Sequence, residues 1–430
     1  MKLKLISIIL IIIAGVVVTM SFISSGVQKN NTYNQYITNA RVQAEKEIPY
    51  MAVQNYKAAF QLRQDEENIY QEYLEQTKLL EDGSYKAALL AYPDLFPQSP
   101  EAYERVCDYY YETQDYKKVI ETALKSRENG AATDRIGEYY MECAFMYRYI
   151  KAGLEEASSF LGGYARVKVD GLYGFIDTNG SYLLAPLYEE AGFFLSNSTS
   201  VYKDAEWYMV NMQGYKIAKP DRKVEWLSFL SNNWILVKND GKYGYVNSGM
   251  IIPDDLPYED ATIFKNGVAA VSQGGKWALI DSSLQPITEF VYDDIVRDEY
   301  NTCINSGVVF AQKDGSYYML DANGKLISES GFEDVKPFAE NGPAAVCVEG
   351  KWGFADTQGN MVIEPQYEDA DSFQTGLAEV CVDEKWGYIN TANTIVVEPQ
   401  FDAAKPFSSS GIAAVQEDDT WSYIKLLAYE

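Results

Sequence analysis

The sequence predicts a multidomain α plus all-β chain: an N-terminal apolar helix, then helical hairpins, then a repetitive antiparallel β array. Three observations carry this reading. Residues 5–20 are uninterruptedly apolar, residues 31–160 place apolar side chains at helical spacing, and the chain matches itself at a 34-residue offset from about residue 160 onward. The corresponding segments are 1–27, 28–160 and 161–430.

The apolar run LISIILIIIAGVVVTM, extended by Ser21-Phe22-Ile23, reaches about 19 residues, enough to cross a hydrocarbon core at 1.5 Å per residue. Lys2 and Lys4 precede it, and the next Lys is Lys29. The positive-inside rule then keeps the N-terminus in the cytoplasm and exports the remainder of the chain, with the run as a single-pass signal-anchor in the cell membrane. A cleaved signal peptide is the alternative. Its apolar stretch is usually shorter, and this run has no A-x-A cleavage pattern after it. Either way the bulk of the chain is expected to be extracytoplasmic.

In the helical segment, Ser99-Pro100 reads as an N-cap followed by Pro at the first helical position. Tyr103, Val106, Cys107 and Tyr110 then share a face, Gln114-Asp115 interrupts, and Tyr116, Val119, Ile120 and Ala123 share the face of a second helix. The stretch from Glu81 to Leu89 matches that from Glu112 to Ile120, 31 residues on. A third, weaker unit from Ala131 places Tyr139, Tyr140, Ala144 and Tyr147 on one face. Residues 66–158 resemble tetratricopeptide repeats. That resemblance implies stacked helix pairs whose concave groove holds peptides or protein partners; a helical stalk spacing the β array from the membrane is the other reading.

In the C-terminal segment, VCVEGKWGFADTQGNMVIEPQYEDADSF from Val346 aligns with VCVDEKWGYINTANTIVVEPQFDAAKPF from Val380. An aromatic recurs at Tyr173, Trp207, Tyr243, Trp277, Tyr317, Trp352, Trp386 and Trp421, with spacings of 34, 36, 34, 40, 35, 34 and 35. Gly comes next at Gly174, Gly244, Gly353 and Gly387, whereas Tyr208, Tyr318 and Ala278 replace that Gly elsewhere. These are seven repeats and a truncated eighth. Within one unit, Ala345–Glu349 alternates as a half-buried strand, Gly350-Lys351 turns, and Trp352 and Phe354 face one side of a second strand. Asp356-Thr357-Gln358-Gly359 is a tight turn, and Met361-Val362-Ile363 is a third strand that Pro365 is expected to end. Tyr367, Ala370 and Phe373 tie the crossover to the core. Such units must stack, either as a closed propeller-like ring of small blades or as an open β-solenoid.

The pattern G-K-W-G-[FY]-x-[DN] followed by [IV]-x-P-x-[YF]-[DE]-x-A-x-x-F resembles the WG-repeat family of bacterial proteins over about residues 163–425. The resemblance implies a repeat fold and an interaction role, and brings no set of catalytic residues with it.

Composition narrows function further. With 36 basic and 62 acidic residues the net charge is −26, which repels phosphate backbones and argues against a nucleic-acid partner. The chain has no His, which removes the usual general base near neutral pH, the His-containing triads and most zinc sites. The 35 Tyr suit half-buried surfaces where a ring packs and a hydroxyl stays wet. The five Cys (Cys107, Cys143, Cys303, Cys347, Cys381) form no C-x-x-C pair and read as small buried hydrophobes. The turns Asp177 to Gly180, Asp321 to Gly324 and Asp356 to Gly359 could be calcium loops, but one Asp per turn supplies too few ligands, and hairpin turns fit better. The acidic pairs Glu259-Asp260, Asp293-Asp294, Glu333-Asp334 and Glu368-Asp369 recur at the repeat period, which suits a solvated rim better than one asymmetric hydrolase site. The periodic rings are core or, alternatively, a platform for sugars.

The expected function is therefore a non-catalytic, membrane-anchored protein-binding or scaffold protein, with no metal and no cofactor. A module binding cell-wall carbohydrate and a carboxylate-dependent hydrolase are the alternatives.

Overall fold

The computed structural model describes residues 26–429 apart from Ser196 and Asn341. The expected membrane anchor, residues 5–23, lies outside the described residues. Among the described residues, no helix is long and apolar enough to cross a membrane. The chain divides into two compact units, Met1–Ala144 and Phe145–Glu430.

The described residues of the first unit form seven helices: α1 (residues 26–45), α2 (Pro49–Phe60), α3 (Glu67–Lys78), α4 (Ser84–Leu95), α5 (Pro100–Glu112), α6 (Tyr116–Glu128) and α7 (Asp134–Ala144). From α2 onward each helix packs on the next, and α5 also touches α7. Their faces obey the helical period: Tyr33, Ile37 and Ala40 are buried on α1, and Ile69, Tyr70, Tyr73 and Leu74 on α3. The expected cap is present, with the Ser99 hydroxyl accepting from the Ala102 N–H at 3.3 Å. Val106, Cys107, Val119, Ile120 and Ala123 are buried as the spacing requires. The Tyr-rich composition serves this core as well as the sheets. Tyr56 and Tyr92 are buried, with their hydroxyls donating to the Glu72 and Glu67 carboxylates at 2.8 and 2.7 Å.

The second unit is an eight-bladed β-propeller. Blade 7 shows the pattern: a two-residue inner strand Asp369–Ala370, then Leu377–Val382, Lys385–Asn390 and the outer strand Ile395–Phe401, each antiparallel to the one before. Blades 1, 2 and 6 have the same four-stranded order. Blades 3, 4 and 5 have three regular strands, and the outer position holds isolated pairings such as Tyr243 with Tyr258, Trp277 with Tyr292 and Tyr317 with Phe332. The unit is short for a propeller blade because its inner strand is only two residues long.

Blade 8 settles ring against solenoid. Its own chain supplies three strands, Ala403–Ala404, Ile412–Glu417 and Thr420–Leu426, and the fourth is Tyr147–Leu154, from before the first repeat. Tyr147 pairs with Leu426 and Tyr149 with Ile424. Side chains close the same seam. In blades 3 and 7, Tyr245 and Tyr388 donate to the Thr262 and Lys405 carbonyls on the next inner segment, at 2.7 and 2.9 Å. Tyr423 of blade 8 makes the equivalent bond to Ser158 of blade 1, at 2.6 Å. The open-solenoid alternative is thereby excluded, because an open array leaves its first and last units unpartnered.

Two further sequence expectations change. Helical spacing places the helical segment through residue 160, with Tyr147 on a helix face. The compact helical unit instead ends at Ala144, and Tyr147 begins the closing strand. That strand carries no repeat motif, and its partner lies about 270 residues away, so local periodicity does not reveal it. Pro365 also fails to end its strand: Met361–Tyr367 continues through it. This is an outer strand with a register shift between Trp352 and Phe354, so the missing N–H falls where no ladder bond is required.

Candidate functional site

The repeat signature is distributed around the ring rather than gathered into a site. Trp277 and Trp352 are buried, and Tyr173, Tyr243, Trp386 and Trp421 are half-buried, each on its own blade. The Gly after the aromatic has a steric cause in the blades with a long outer strand. A Cβ on Gly353 would lie 2.6 Å from the Ile363 carbonyl oxygen and 2.7 Å from the Pro365 nitrogen. Gly174 and Gly387 meet the Leu184 and Val397 carbonyl oxygens at 2.7 and 2.5 Å. Gly244 faces only the Leu256 and Pro257 side chains, because blade 3 has no regular outer strand.

The periodic acids are structural. The hairpin joining the second and third strands has both central residues at positive φ, as at Asp170-Gly171 and Glu349-Gly350, the geometry of a type I′ turn. In every blade the acid just before the inner strand accepts a hydrogen bond from that turn, for example Glu259 from the Gly275 N–H and Glu333 from the Gly350 N–H, both at 2.9 Å. Asp177, Asp321 and Asp356 each accept two N–H bonds from their own turns, so these are hairpin turns. Among the described residues, no group of three or more Cys, Asp or Glu could hold a metal ion, and all five Cys are buried free thiols.

The asymmetry lies at the middle of the ring. Six residues separate the inner and second strands of blade 7, against twelve in blade 5, between Ile295 and Val308. This excess accounts for the 40-residue spacing between Trp277 and Tyr317. The longer segment reaches across to the opposite side of the ring: Tyr300 donates to the Phe160 carbonyl at 3.4 Å, and its ring meets Phe193 at 4.9 Å. Glu299 accepts from the Ser159 N–H at 3.1 Å and from the Lys405 ammonium at 2.5 Å. Asn301 and Thr302 pair with the Ile263 backbone of blade 4. Beside this plug is a cavity of about 670 Å³ whose wall comes from blades 1, 4, 5, 6, 7 and 8.

Asp371 and Lys405 line that cavity. They occupy the position just after the inner strand, as do Ser158, Ser228 and Thr262 in earlier blades, each donating its N–H to the second strand. Behind Asp371 stands Glu379, whose carbonyl receives the Asp371 N–H at 3.0 Å. Glu379 is fully buried, and neither carboxylate oxygen has a hydrogen-bond partner. At the same position blades 4, 6 and 8 carry Ala270, Ala345 and Ala414. Burial pushes the Glu379 carboxyl well above its ordinary range, and the neighbouring Asp371 adds to this. Burial likewise raises Asp371 to about 6, against the attraction of Lys336 and Lys405.

The helical unit has its own concavity, of about 800 Å³, between α3, α4, α5 and the start of α7. Five acids line it (Glu67, Glu101, Glu104, Asp108, Glu112) against Lys78, Arg105 and Arg135. Arg105 is held by Glu75 and Glu101 at 2.6 and 2.8 Å, and Arg135 by Asp108 at 2.7 Å.

The family described as "WG containing repeat" matches residues 150–173, 173–204, 258–277, 319–352, 352–386 and 386–421. The chain carries a WG-repeat domain. No curated protein matches the chain. Among solved structures it is similar to a eukaryotic initiation factor (14% identity, 63% of this chain and 81% of that one, TM-score 0.42). It is also similar to Hsv2 of Kluyvelomyces marxianus (11%, 64% and 99%, TM-score 0.37) and to the dihydro-heme d1 dehydrogenase NirN (10%, 58% and 65%, TM-score 0.37). The WG-repeat matches begin at residue 150, inside the closing strand, which places that strand with the propeller. The stretches left unmatched, 205–257 and 278–318, run through parts of blades 2 to 5 and include Tyr208, Ala278 and Tyr318, which stand where the motif has Gly, and the plug. The sequence shows the long spacing of blade 5 but not the plug it forms. Sequence reasoning also missed Glu379, which an alignment of the repeats marks as the one acid at a position where the other blades have Ala, Ser, Leu, Phe or Arg.

Proposed function

We propose that this protein is a non-catalytic scaffold, anchored in the cell membrane by its first residues and exposed outside the cytoplasm, whose helical unit holds a basic segment of a protein partner. The observation that carries the reading is the acidic concavity between α3 and α7. Two of its three cations are already bound by carboxylates, so Lys or Arg side chains entering it meet an excess of negative charge. Tyr85 and Tyr109 on its wall supply flat apolar surface for the stems of such side chains. The WG-repeat propeller is a fold suited to a binding role, and its signature residues serve packing and turn geometry rather than chemistry. Protein is favoured over sugar as the partner, because the periodic rings are buried or half-buried, each on its own blade, and several already lie under an Arg or Lys side chain, so they form no continuous open platform. The periodic carboxylates hold hairpins, which argues against a hydrolase built from them.

The test is chemical crosslinking of the full-length protein in its native cells, with identification of the captured molecules. The reading expects one dominant protein joined through residues of the helical unit. Recovery of the uncrosslinked chain together with wall polysaccharide, and no protein, would overturn it in favour of the carbohydrate alternative.

A further inference from the structure

We propose that the cavity at the centre of the propeller is a binding site for a small organic ammonium ion, such as the end of a diamine or a Lys side chain. The cavity is enclosed on one side by the blade 5 plug and has room for a small molecule, at about 670 Å³. Its charged lining is Asp298, Glu299, Glu340 and Asp371 against Lys265 and Lys405. Both lysines are already engaged: Lys405 with Glu299 at 2.5 Å, and Lys265 with Asp298 at 3.8 Å and with Asn305. Lys336, the other cation near Asp371, is paired with Asp369 at 3.6 Å and stacked over Trp352. Glu340 and Asp371 therefore give the cavity a net negative wall. Phe160, Tyr300, Phe338 and Trp421 line it as well and offer ring faces or edges to an alkylammonium.

A second observation points the same way. Glu379, buried directly behind Asp371, has no hydrogen-bond partner for either oxygen. The equivalent position is Arg166, Ser200, Leu236 and Phe310 in blades 1, 2, 3 and 5 and Ala in blades 4, 6 and 8, so the fold does not require an acid there. Two adjacent carboxyls of which one is fully buried disfavour each other's ionisation. A monovalent cation placed against Asp371 relieves that repulsion, and it does so more effectively inside a low-dielectric wall than in water. A neutral or anionic ligand relieves nothing.

The experiment is calorimetric titration of the full-length protein at about pH 7.5 with putrescine, with Nα-acetyl-lysine amide, and with uncharged 1,4-butanediol and anionic glutarate as controls. The proposal expects one amine bound per chain. Asp371→Asn should weaken it at least tenfold and Glu340→Gln severalfold, while Glu104→Gln in the helical concavity leaves it unchanged. Tighter binding of putrescine marks a free amine as the natural occupant; tighter binding of the lysine amide marks a protein side chain. No heat with either amine up to millimolar concentration overturns the proposal. So does amine binding that survives both cavity variants, or preferential binding of glutarate. Circular dichroism of each variant shows that the propeller is folded, and the rim variant Glu340→Gln carries the test if Asp371→Asn does not fold.

Discussion

Replacing Glu379 by Gln removes one titrating proton from the propeller core while keeping side-chain volume, and the consequence has a definite sign. In the folded protein burial holds the Glu379 carboxyl well above the ordinary carboxylate range. In the unfolded chain it titrates near about 4.3. Between these two values the folded state keeps a proton that the unfolded state has lost. Stability from this group is therefore fully present below about pH 4.3 and is lost as pH rises, by about 1.4 kcal/mol per unit. The loss continues up to the pH at which the folded-state carboxyl ionises. At the roughly 2–4 °C per kcal/mol of a domain of this size, each such pH unit corresponds to a fall in Tm of about 3–6 °C. Asp371, raised to about 6, adds to the fall up to that pH. Thermal unfolding monitored by Trp fluorescence at pH 5, 6, 7 and 8 checks this. Glu379→Gln is predicted to unfold close to the natural protein at pH 5 and above it at higher pH, with the gap widening as pH rises. Parallel Tm curves for the two proteins would refute the reasoning, since they would mean that Glu379 ionises in the folded state as easily as in the unfolded chain.

The same geometry predicts three other outcomes. Gly353→Ala forces a Cβ against the Ile363 carbonyl and should cost about 1–3 kcal/mol in denaturant unfolding, whereas Gly244→Ala, facing a movable Leu side chain, should cost distinctly less. Gly180 has φ +77° and would place a Cβ 2.6 Å from the Ile150 carbonyl on the closing strand; Gly180→Ala should speed amide exchange in Thr420–Leu426 without changing it in Val308–Lys313. Glu299→Gln weakens the bonds from the plug to Lys405 and Ser159 and should destabilise the propeller by about 2 kcal/mol, measured by urea unfolding.

Much of the architecture is legible in the sequence where the cause is local. Ser99-Pro100 announces a helix start because the cap and the fixed φ act within one turn. Asp356 to Gly359 announces a hairpin because the Asp bonds its own backbone. The Trp352-Gly353 pair announces close backbone approach, and Gly is the residue that permits it. The illegible features depend on residues far apart in the chain. The strand Tyr147–Leu154 acquires its role only from Thr420–Leu426, and nothing in its own pattern distinguishes it from the end of a helical segment. Pro365 reads as a strand terminator until the strand is known to be the outer one. The extra residues of blade 5 are visible as a long spacing, but their contact with Phe160 and Ser159 requires the ring to be closed first. Glu379 is readable only by comparing repeats, where it is the one acid in a column that otherwise holds Ala, Ser, Leu, Phe or Arg.

The functional account rests on the acidic concavity of the helical unit, and site-specific photocrosslinking tests it most directly. A photoreactive amino acid would replace Tyr109, on the concave wall, and in a second protein Leu124, which is exposed on α6 outside it. Both are expressed full-length in native cells and irradiated. The account predicts one dominant crosslinked protein from position 109, joined within a Lys- or Arg-rich segment, and little or none from position 124. Equal capture from both positions, or none from position 109, would contradict it.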